Sequence, residues 1–311
     1  MIGALIVSAE SSLIRDRFDP MERMGSISAI QRQILVFQQA GIERIVIVAG
    51  RHAKEIEKHV ARMGVVCLRN EAYEAGEMLD SVKIGLEYLQ GKGFDALITP
   101  VNVPFFSAET VERLCKSEAE AGVPVCGGRS GHPILLTEKL FPAVLAYCGE
   151  GGLAAAVKAS GVQVARVEVI DEGIAFRATD GEVPEQVAAS HSLNKLRVKA
   201  KLSLAYERVF FGPGTMQLLT LVEETGSLRK ACQQMALSYS KGLHMIAVTE
   251  QELGYSVVQS KKGGKAGGES VVTTEGLALM EQYAAFSQDC AEAIRKIFQQ
   301  HFHKEGGERQ P

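Results

Sequence analysis

Tryptophan is absent from the 311 residues, and with seven Tyr and twelve Phe the aromatic share is only 6%. That disfavours a binder of single-stranded nucleic acid, which stacks successive bases on aromatic platforms. The six cysteines, at 67, 115, 126, 148, 232 and 290, form no C-x-x-C pair. Such scatter excludes a zinc-ribbon spacing and a dense disulfide frame, and leads us to expect reduced thiols of a cytoplasmic protein. No apolar run approaches the roughly eighteen residues of a membrane-spanning helix, so no membrane partner is expected. The opening MIGALIVSAESS has no basic stretch ahead of its short apolar run and reads as a strand rather than a secretory leader. Lys and Arg (34) do not outnumber Asp and Glu (37), leaving a net charge of -3. Contact with nucleic acid must then come from a local patch. What is plentiful is apolar residues, 46% of a length that exceeds one ordinary domain and suits two, each able to bury a core without a covalent staple.

Up to about residue 180, short β-branched runs alternate with amphipathic stretches. IGALIVS, RIVIVAG, GVVCLRN, DALITPV and VPVCGG are the strand candidates. One helix is expected from Ser28 as N-cap through Ile30, Ile34, Leu35 and Phe37 to a stop at Gly41, and another from Ser107 through Val111 and Leu114 to Gly122. Strands buried on both faces and separated by helices predict βαβ units, hence an α/β domain with a three-layer, Rossmann-like, mostly parallel sheet. Ligands of such sheets bind in the loops that follow the strands. The informative loops are therefore Ser8 to Gly25, Asn70 to Ser81, Pro100 to Ser107 and Gly127 to Pro133.

Beyond Asp171 the periodicity fades, and residues 191–205, carrying Lys195, Arg197, Lys199 and Lys201, read as a linker. Residues 206–285 follow a different pattern. A helix is expected from Thr215 to Gly226 and a short one after Ser227. After a turn at Ala236 and Leu237 comes a third, capped by Ser238 and ending near Gly254. Two short strands then flank the glycine-rich GGKAGGE, and a helix starts at Glu275. Helix, turn, recognition helix and two-stranded wing make an α+β winged helix-turn-helix. Small or apolar residues at 280, 283, 287, 290, 294 and 297 suggest a seam for a second copy or for the domain itself, within a helical tail (286–311) with a disordered end.

The order of segments over residues 1–190 resembles the molybdenum-cofactor nucleotidyltransferases, the MobA/MocA-like group with a nucleotide-diphospho-sugar transferase-like fold. GALIVSAESS stands at the opening strand and nucleotide loop, and QQAGIERIVIVAG at the helix and second strand. NEAYEAGEMLDSVKIGL frames the substrate, and ITPVNVP with GGRSGHPILL supplies the metal-binding turn and the Gly-His-Pro turn. The resemblance implies a CTP or GTP substrate with Mg²⁺, and molybdopterin as the acceptor. It places the nucleotide loop at Ser8, Ala9, Glu10, Ser11, Ser12, Arg15 and Asp19, and the pterin side at Asn70, Ser81, Gly131, His132 and Pro133. The metal position falls on Asn102.

The departures from this pattern bear on chemistry. Phosphate-cradling loops use glycine so that backbone amides can reach the phosphates. Glu10 stands where glycine is expected, and Asp19 takes the lysine position when FDPM is aligned with the family's F-K-P-M. At ~4 Å and an effective dielectric of ~20, one charge pair is worth roughly 4 kcal/mol, so exchanging cation for anion matters. Asn102 replaces the metal-binding Asp and brings an oxygen without charge. Arg177-Ala178-Thr179-Asp180 stands where D-x-D-T is expected. An alternative alignment uses Arg23-Met24-Gly25 and puts Ser28 at the lysine position. Gly131, His132 and Pro133 are intact.

TMQLLTLVEETGSLRKACQQMALSYSKGLHMI followed by LGYSVVQSKKGGKAGGESVVTTEG resembles the winged-helix domain of molybdate-responsive (ModE-type) regulators, kin of the LysR-like domain. It implies duplex DNA as a partner, contacted by Ser238, Tyr239, Ser240, Lys241 and His244 on the recognition helix and by Lys261, Lys262 and Lys265 on the wing. Between Arg229 and Lys265 six cations face Glu250 and Glu252 alone, the local basic footprint that the global charge conceals. Together the two resemblances suggest a cytoplasmic, dimeric regulator of molybdenum-cofactor metabolism whose first domain is retained for ligand binding. The rivals are an active cytidylyl- or guanylyltransferase with a regulatory winged helix, and an interaction protein with neither activity.

Overall fold

The computed structural model describes residues 1–8, 18–61, 63–180, 198, 200–235, 237–261 and 269–302. The chain divides into two compact units, residues 1–193 and 194–311.

The first unit opens with β1 (Ile2–Ser8), a small hairpin of β2 (Arg23–Met24) and β3 (Ile27–Ser28), and α1 (Ala29–Gln39). Then come β4 (Ile45–Ala49), α2 (Ala53–Val60), β5 (Val66–Arg69), α3 (Met78–Leu89), β6 (Asp95–Pro100) and α4 (Ala108–Cys115). β7 (Ala121–Cys126), β8 (Arg129–Ser130), β9 (Ile134–Leu136), α5 (Phe141–Ala146), α6 (Gly152–Ala159) and β10 (Val164–Glu168) complete it. The sheet runs β10-β7-β9-β6-β1-β4-β5, with β8 attached to β7. β1 pairs in parallel with β4 and β6, β4 with β5, and β7 with β10. β9 runs antiparallel to both of its neighbours.

The unbroken apolar character of β1 and β4 follows from cover on both faces. Ala4, Ile6, Ile45 and Ile47 meet Ile30, Ile34, Phe37, Ile56 and Val111 from α1, α2 and α4. Leu5, Val7, Val46 and Val48 meet Leu79, Leu86, Phe141, Val144 and Val157 from α3, α5 and α6. The mostly parallel α/β architecture is thus the expected one. Each of the Val, Leu, Ile and Phe side chains, fully buried, stabilises the fold by about 1.5–3 kcal/mol. Gly85 lets α3 approach the sheet, because a Cβ there would overlap the Leu5 side chain. Ser28 caps α1 in a reciprocal box with Gln31, and the Ser107 hydroxyl accepts from Thr110 N at 3.2 Å.

One helix boundary departs from expectation. α4 stops at Cys115, and Gly122 lies inside β7, opposite Leu135 of β9 and Ala165 of β10. A glycine that signals a helix stop in sequence serves here as a strand residue between two partners, and the chain turns earlier, at Lys116 and Ser117.

The second unit begins with the antiparallel pair β11 (Leu204–Ala205) and β12 (Val209–Phe211). α7 (Pro213–Thr225), α8 (Leu228–Gln234) and α9 (Tyr239–Leu253) follow, then the antiparallel hairpin β13 (Val258–Lys261) and β14 (Glu269–Val272), and finally α10 (Thr274–Phe302). Gly226 ends α7 in the left-handed region at φ 62°. Ser227 and Ser238 cap α8 and α9 by accepting from Lys230 N at 3.4 Å and Lys241 N at 3.3 Å. Leu218, Leu219, Val222, Leu228, Ala231, Cys232 and Ile246 are buried in this unit. α10 is continuous through residue 286, so the stretch that reads as a separate tail extends the preceding helix. Met280 and Tyr283 are buried. Tyr283 sets its ring edge-on to Phe211 and donates its hydroxyl to Leu202 O at 3.0 Å. These two seam positions therefore serve their own unit, whereas Phe286 and Ile297 are exposed. Residues 303–311, which read as a disordered end, lie outside the described residues. Among the described residues no helix is long and apolar enough to cross a membrane.

Candidate functional site

Three neighbouring strands, β1, β6 and β9, bring separated residues to one edge of the first unit. Ser8 ends β1, and its buried hydroxyl has no hydrogen-bond partner among the described residues. Val101 N donates to Val7 O at 2.9 Å, which carries the β1–β6 pairing into the following turn and sets Asn102 next to the end of β1. Asn102 is 4% exposed, its Oδ1 has no partner among the described residues, and its backbone oxygen accepts from Ala178 N at 2.7 Å. α1 braces this turn. Gln33 Nε2 donates to Pro100 O at 2.8 Å and to Val103 O at 2.9 Å. Arg32 Nε donates to Pro104 O at 3.1 Å, with its guanidinium 4.6 Å from the Phe105 ring centroid. Neither α1 residue stands out in the sequence. Both lie inside an amphipathic helix where polar residues normally face water, and their burial is the signal that a sequence does not print.

The Gly131-His132-Pro133 turn enters the same edge through β9. Gly131 N donates to Pro124 O at 3.0 Å, and a Cβ at this position would collide with the Ile174 backbone. His132 N donates to Ile174 O at 2.8 Å. His132 is half-buried as a residue, yet its Nδ1 is shut off from solvent with no partner among the described residues. Burial pushes the imidazole pKa from 6.5 down to about 4. A hydrogen bond involving the Ile98 backbone acts the other way, and the Arg177 charge adds a smaller depression. The ring is neutral at pH 7. The segment after β10 links the two turns, since Ile174 O receives His132 N while Ala178 N reaches Asn102 O. Asp171 anchors that segment by accepting from Ser107 N at 2.8 Å, from Gly173 N at 3.0 Å and from the Thr110 hydroxyl.

Asn70 and Ser81 lie farther along the sheet, after β5 and in α3, and they engage each other. Asn70 Nδ2 donates to Ser81 Oγ at 2.9 Å, and Asn70 Oδ1 accepts from Ala72 N at 2.9 Å. Asp19 is exposed and closes a turn by accepting from Met21 N at 2.8 Å, and Arg23 is exposed in β2. Ala9, Glu10, Ser11, Ser12 and Arg15 lie outside the described residues. Among the described residues no group of three or more His, Cys, Asp or Glu converges on a point where a metal ion would sit. Among the described residues, Asn102, Ser8 and His132 bring to this edge an amide, a hydroxyl and a neutral imidazole, a set that does not fit a hard dication, which takes charged oxygen ligands.

In the second unit Ser238, Tyr239, Ser240, Lys241 and His244 are all exposed at the start of α9. The Arg229 guanidinium lies 4.9 Å from the Tyr239 ring centroid. The Lys261 backbone pairs with Glu269 across the hairpin. The Lys261 side chain, Lys262, Lys265 and the glycine-rich turn lie outside the described residues.

Residues 20–166 match the MobA-like NTP transferase domain family. The matched stretch includes Asn70, Ser81, Asn102 and Gly131 to Pro133 and leaves out Ser8 and Asp19. The first unit thus carries a nucleotidyltransferase-like domain. Among solved structures, the chain is similar to Rv0371c from Mycobacterium tuberculosis H37Rv, at 17% identity and a TM-score of 0.47 over 54% of this chain and 87% of that one. It is also similar to a nucleotidyl transferase from Methanothermobacter thermautotroptrophicus, at 19% identity and a TM-score of 0.47 over 54% of this chain and 87% of that one. A 4-diphosphocytidyl-2C-methyl-D-erythritol synthase is similar at 16% identity and a TM-score of 0.47, over 61% of this chain and 98% of that one. No curated protein matches the chain.

Proposed function

We propose that this chain is a DNA-binding transcriptional regulator linked to molybdenum-cofactor metabolism, with a nucleotidyltransferase-like unit kept for ligand binding rather than efficient nucleotidyl transfer. Asn102 carries the reading for the first unit. It is a buried neutral amide, its Oδ1 without a partner among the described residues, at the position where the resemblance calls for a carboxylate that holds Mg²⁺. Phosphoryl transfer depends on neutralising charge as it develops, and these donors are neutral. Ser8, Asn102 and His132 offer hydrogen bonds that suit a polar heterocycle such as a nucleobase or a pterin. For the second unit, three short-linked helices followed by a two-stranded hairpin support a winged helix-turn-helix. The exposed positions at the start of α9 support duplex DNA as the partner, and α10 supports a homodimer.

A second reading, an active CTP or GTP:molybdopterin nucleotidyltransferase with a regulatory winged helix, draws on the family match and on the intact Gly131-His132-Pro133 turn. Titration of the full chain with CTP and GTP in the presence of Mg²⁺, together with pyrophosphate release in the presence of molybdopterin, separates the two. We expect weak nucleotide binding and little pyrophosphate. Robust turnover by the natural sequence establishes the second reading instead. In the first case the combined E10G, D19K and N102D variant is expected to bind Mg²⁺-nucleotide about tenfold more tightly, since it removes two anions and supplies a cation and a metal ligand.

A further inference from the structure

In the second unit Leu218, Leu219, Leu221 and Leu228 are 0–3% exposed, whereas Leu243 is 44% exposed in the first half of α9. The helix buries Gly242, Ile246 and Thr249 against its own unit. Ser240, Leu243, His244 and Ala247 are exposed, and their spacing of three, four and seven residues sets them on one stripe. Resting on the DNA-binding reading above, we propose that Leu243 reads the 5-methyl group of thymine in the major groove, so that each half-site carries a thymine beneath the first half of α9.

Charge selects the partner. Arg229 on α8 sets its guanidinium by Tyr239, next to Ser240 of the stripe, and Lys241 is exposed in the same first turn of α9. Two carboxylates near the far end of α9 are turned to internal duties. Glu250 Oε1 accepts from Val257 N at 2.8 Å and from Val258 N at 3.1 Å, and Glu252 pairs with Arg208 at 2.6 Å. A polyanion is the partner such a surface attracts. Size sets the approach. Ser240 and Ala247 flank the leucine with small side chains, so a groove floor can come close to the helix between them. Chemistry then fixes the base. A leucine side chain has no hydrogen-bonding group, and the apolar feature that base pairs present in the major groove is the thymine methyl. Ser240 and His244 contact polar base edges beside it.

The test uses the full-length chain and a duplex selected from a random pool. Each thymine of the selected site is replaced singly by deoxyuridine, which keeps every hydrogen-bonding group and lacks only the methyl. Binding is followed by fluorescence anisotropy at fixed salt. We expect one replacement per half-site to weaken binding about fourfold, the value of one buried methyl-sized group. The L243A variant, whose side chain is exposed and whose fold is checked by circular dichroism, is expected to bind thymine and deoxyuridine duplexes equally. If the natural chain selects a sequence but treats thymine and deoxyuridine alike everywhere, or if L243A still discriminates, the methyl-reading role is overturned while DNA binding stands. If no sequence is enriched and no salt-dependent duplex binding occurs, both readings fall and the stripe is assigned to a protein partner.

Discussion

Asn70 donates its amide Nδ2 to the Ser81 hydroxyl across 2.9 Å, and both side chains are buried. The bond spans the loop from the end of β5 to α3, so the two ends of a candidate ligand loop are fixed to each other. Ser81→Ala leaves a buried amide without its acceptor, which costs about 1–3 kcal/mol. We expect urea denaturation of S81A to show a lowered midpoint with an unchanged slope. N70A combined with S81A is expected to lose less than the sum of the single changes. Additive losses in that double-mutant cycle would mean that the pair is not coupled.

The buried His132 predicts a pH dependence with a definite sign. Its folded-state pKa of about 4 lies below the ordinary 6.5, so the unfolded chain binds the proton more readily. The neutral ring's contribution is complete above pH 6.5 and is lost as pH falls toward 4, by about 3 kcal/mol in all. Stability measured by denaturant titration across that window should fall more steeply for the natural chain than for H132Q. Parallel curves would show that the ring is protonated as easily folded as unfolded.

Much of this is legible in the sequence, and the rest is not for definable reasons. Runs such as IVIVA announce strands covered on both faces, and Ser28, Ser107, Ser227 and Ser238 announce helix starts because a hydroxyl there meets an orphan backbone amide. The convergence of Ser8, Asn102 and His132 depends on strand order, which no local pattern encodes. β9, only three residues long, passes for part of a loop. Arg32 and Gln33 read as solvent-facing until the turn they brace is in place. Asn70 and Ser81 read as residues on the substrate side, and their bond to each other shows how a polar residue in a ligand loop is spent on shaping the loop.

Duplex binding should weaken steeply with salt, because cations that neutralise phosphates release counterions. Replacing Lys261, Lys262 and Lys265 with Ala is expected to weaken all sequences about equally. It should also flatten the salt slope by roughly 2–3, at ~0.9 for each phosphate no longer neutralised. Replacing Tyr239 or His244 is expected to change the preference among sequences instead. An unchanged slope in the lysine-free variant, read by anisotropy over a salt series, would remove the hairpin from the DNA interface.

Self-association should reside in α10 beyond Tyr283, since Met280 and Tyr283 are already buried in their own unit. Charged substitutions at the exposed Phe286 and Ile297 are expected to convert a dimer to a monomer at tens of micromolar while leaving circular dichroism unchanged. Sedimentation equilibrium decides the matter, and a natural chain that is already monomeric at that concentration would count against the dimer.

β9 also dictates the order in which this sheet is assembled. It lies between β6 and β7, yet it leaves the ribosome after both. Until residue 136 has been synthesised, β6 has no neighbour on its outer side, and β7 cannot be joined to β1, β4 and β5. The nascent chain therefore carries an apolar strand, DALITP, with an open hydrogen-bonding edge while some forty further residues are added. A nascent chain stalled in that interval is the form in which this protein is most exposed to aggregation and to chaperone capture.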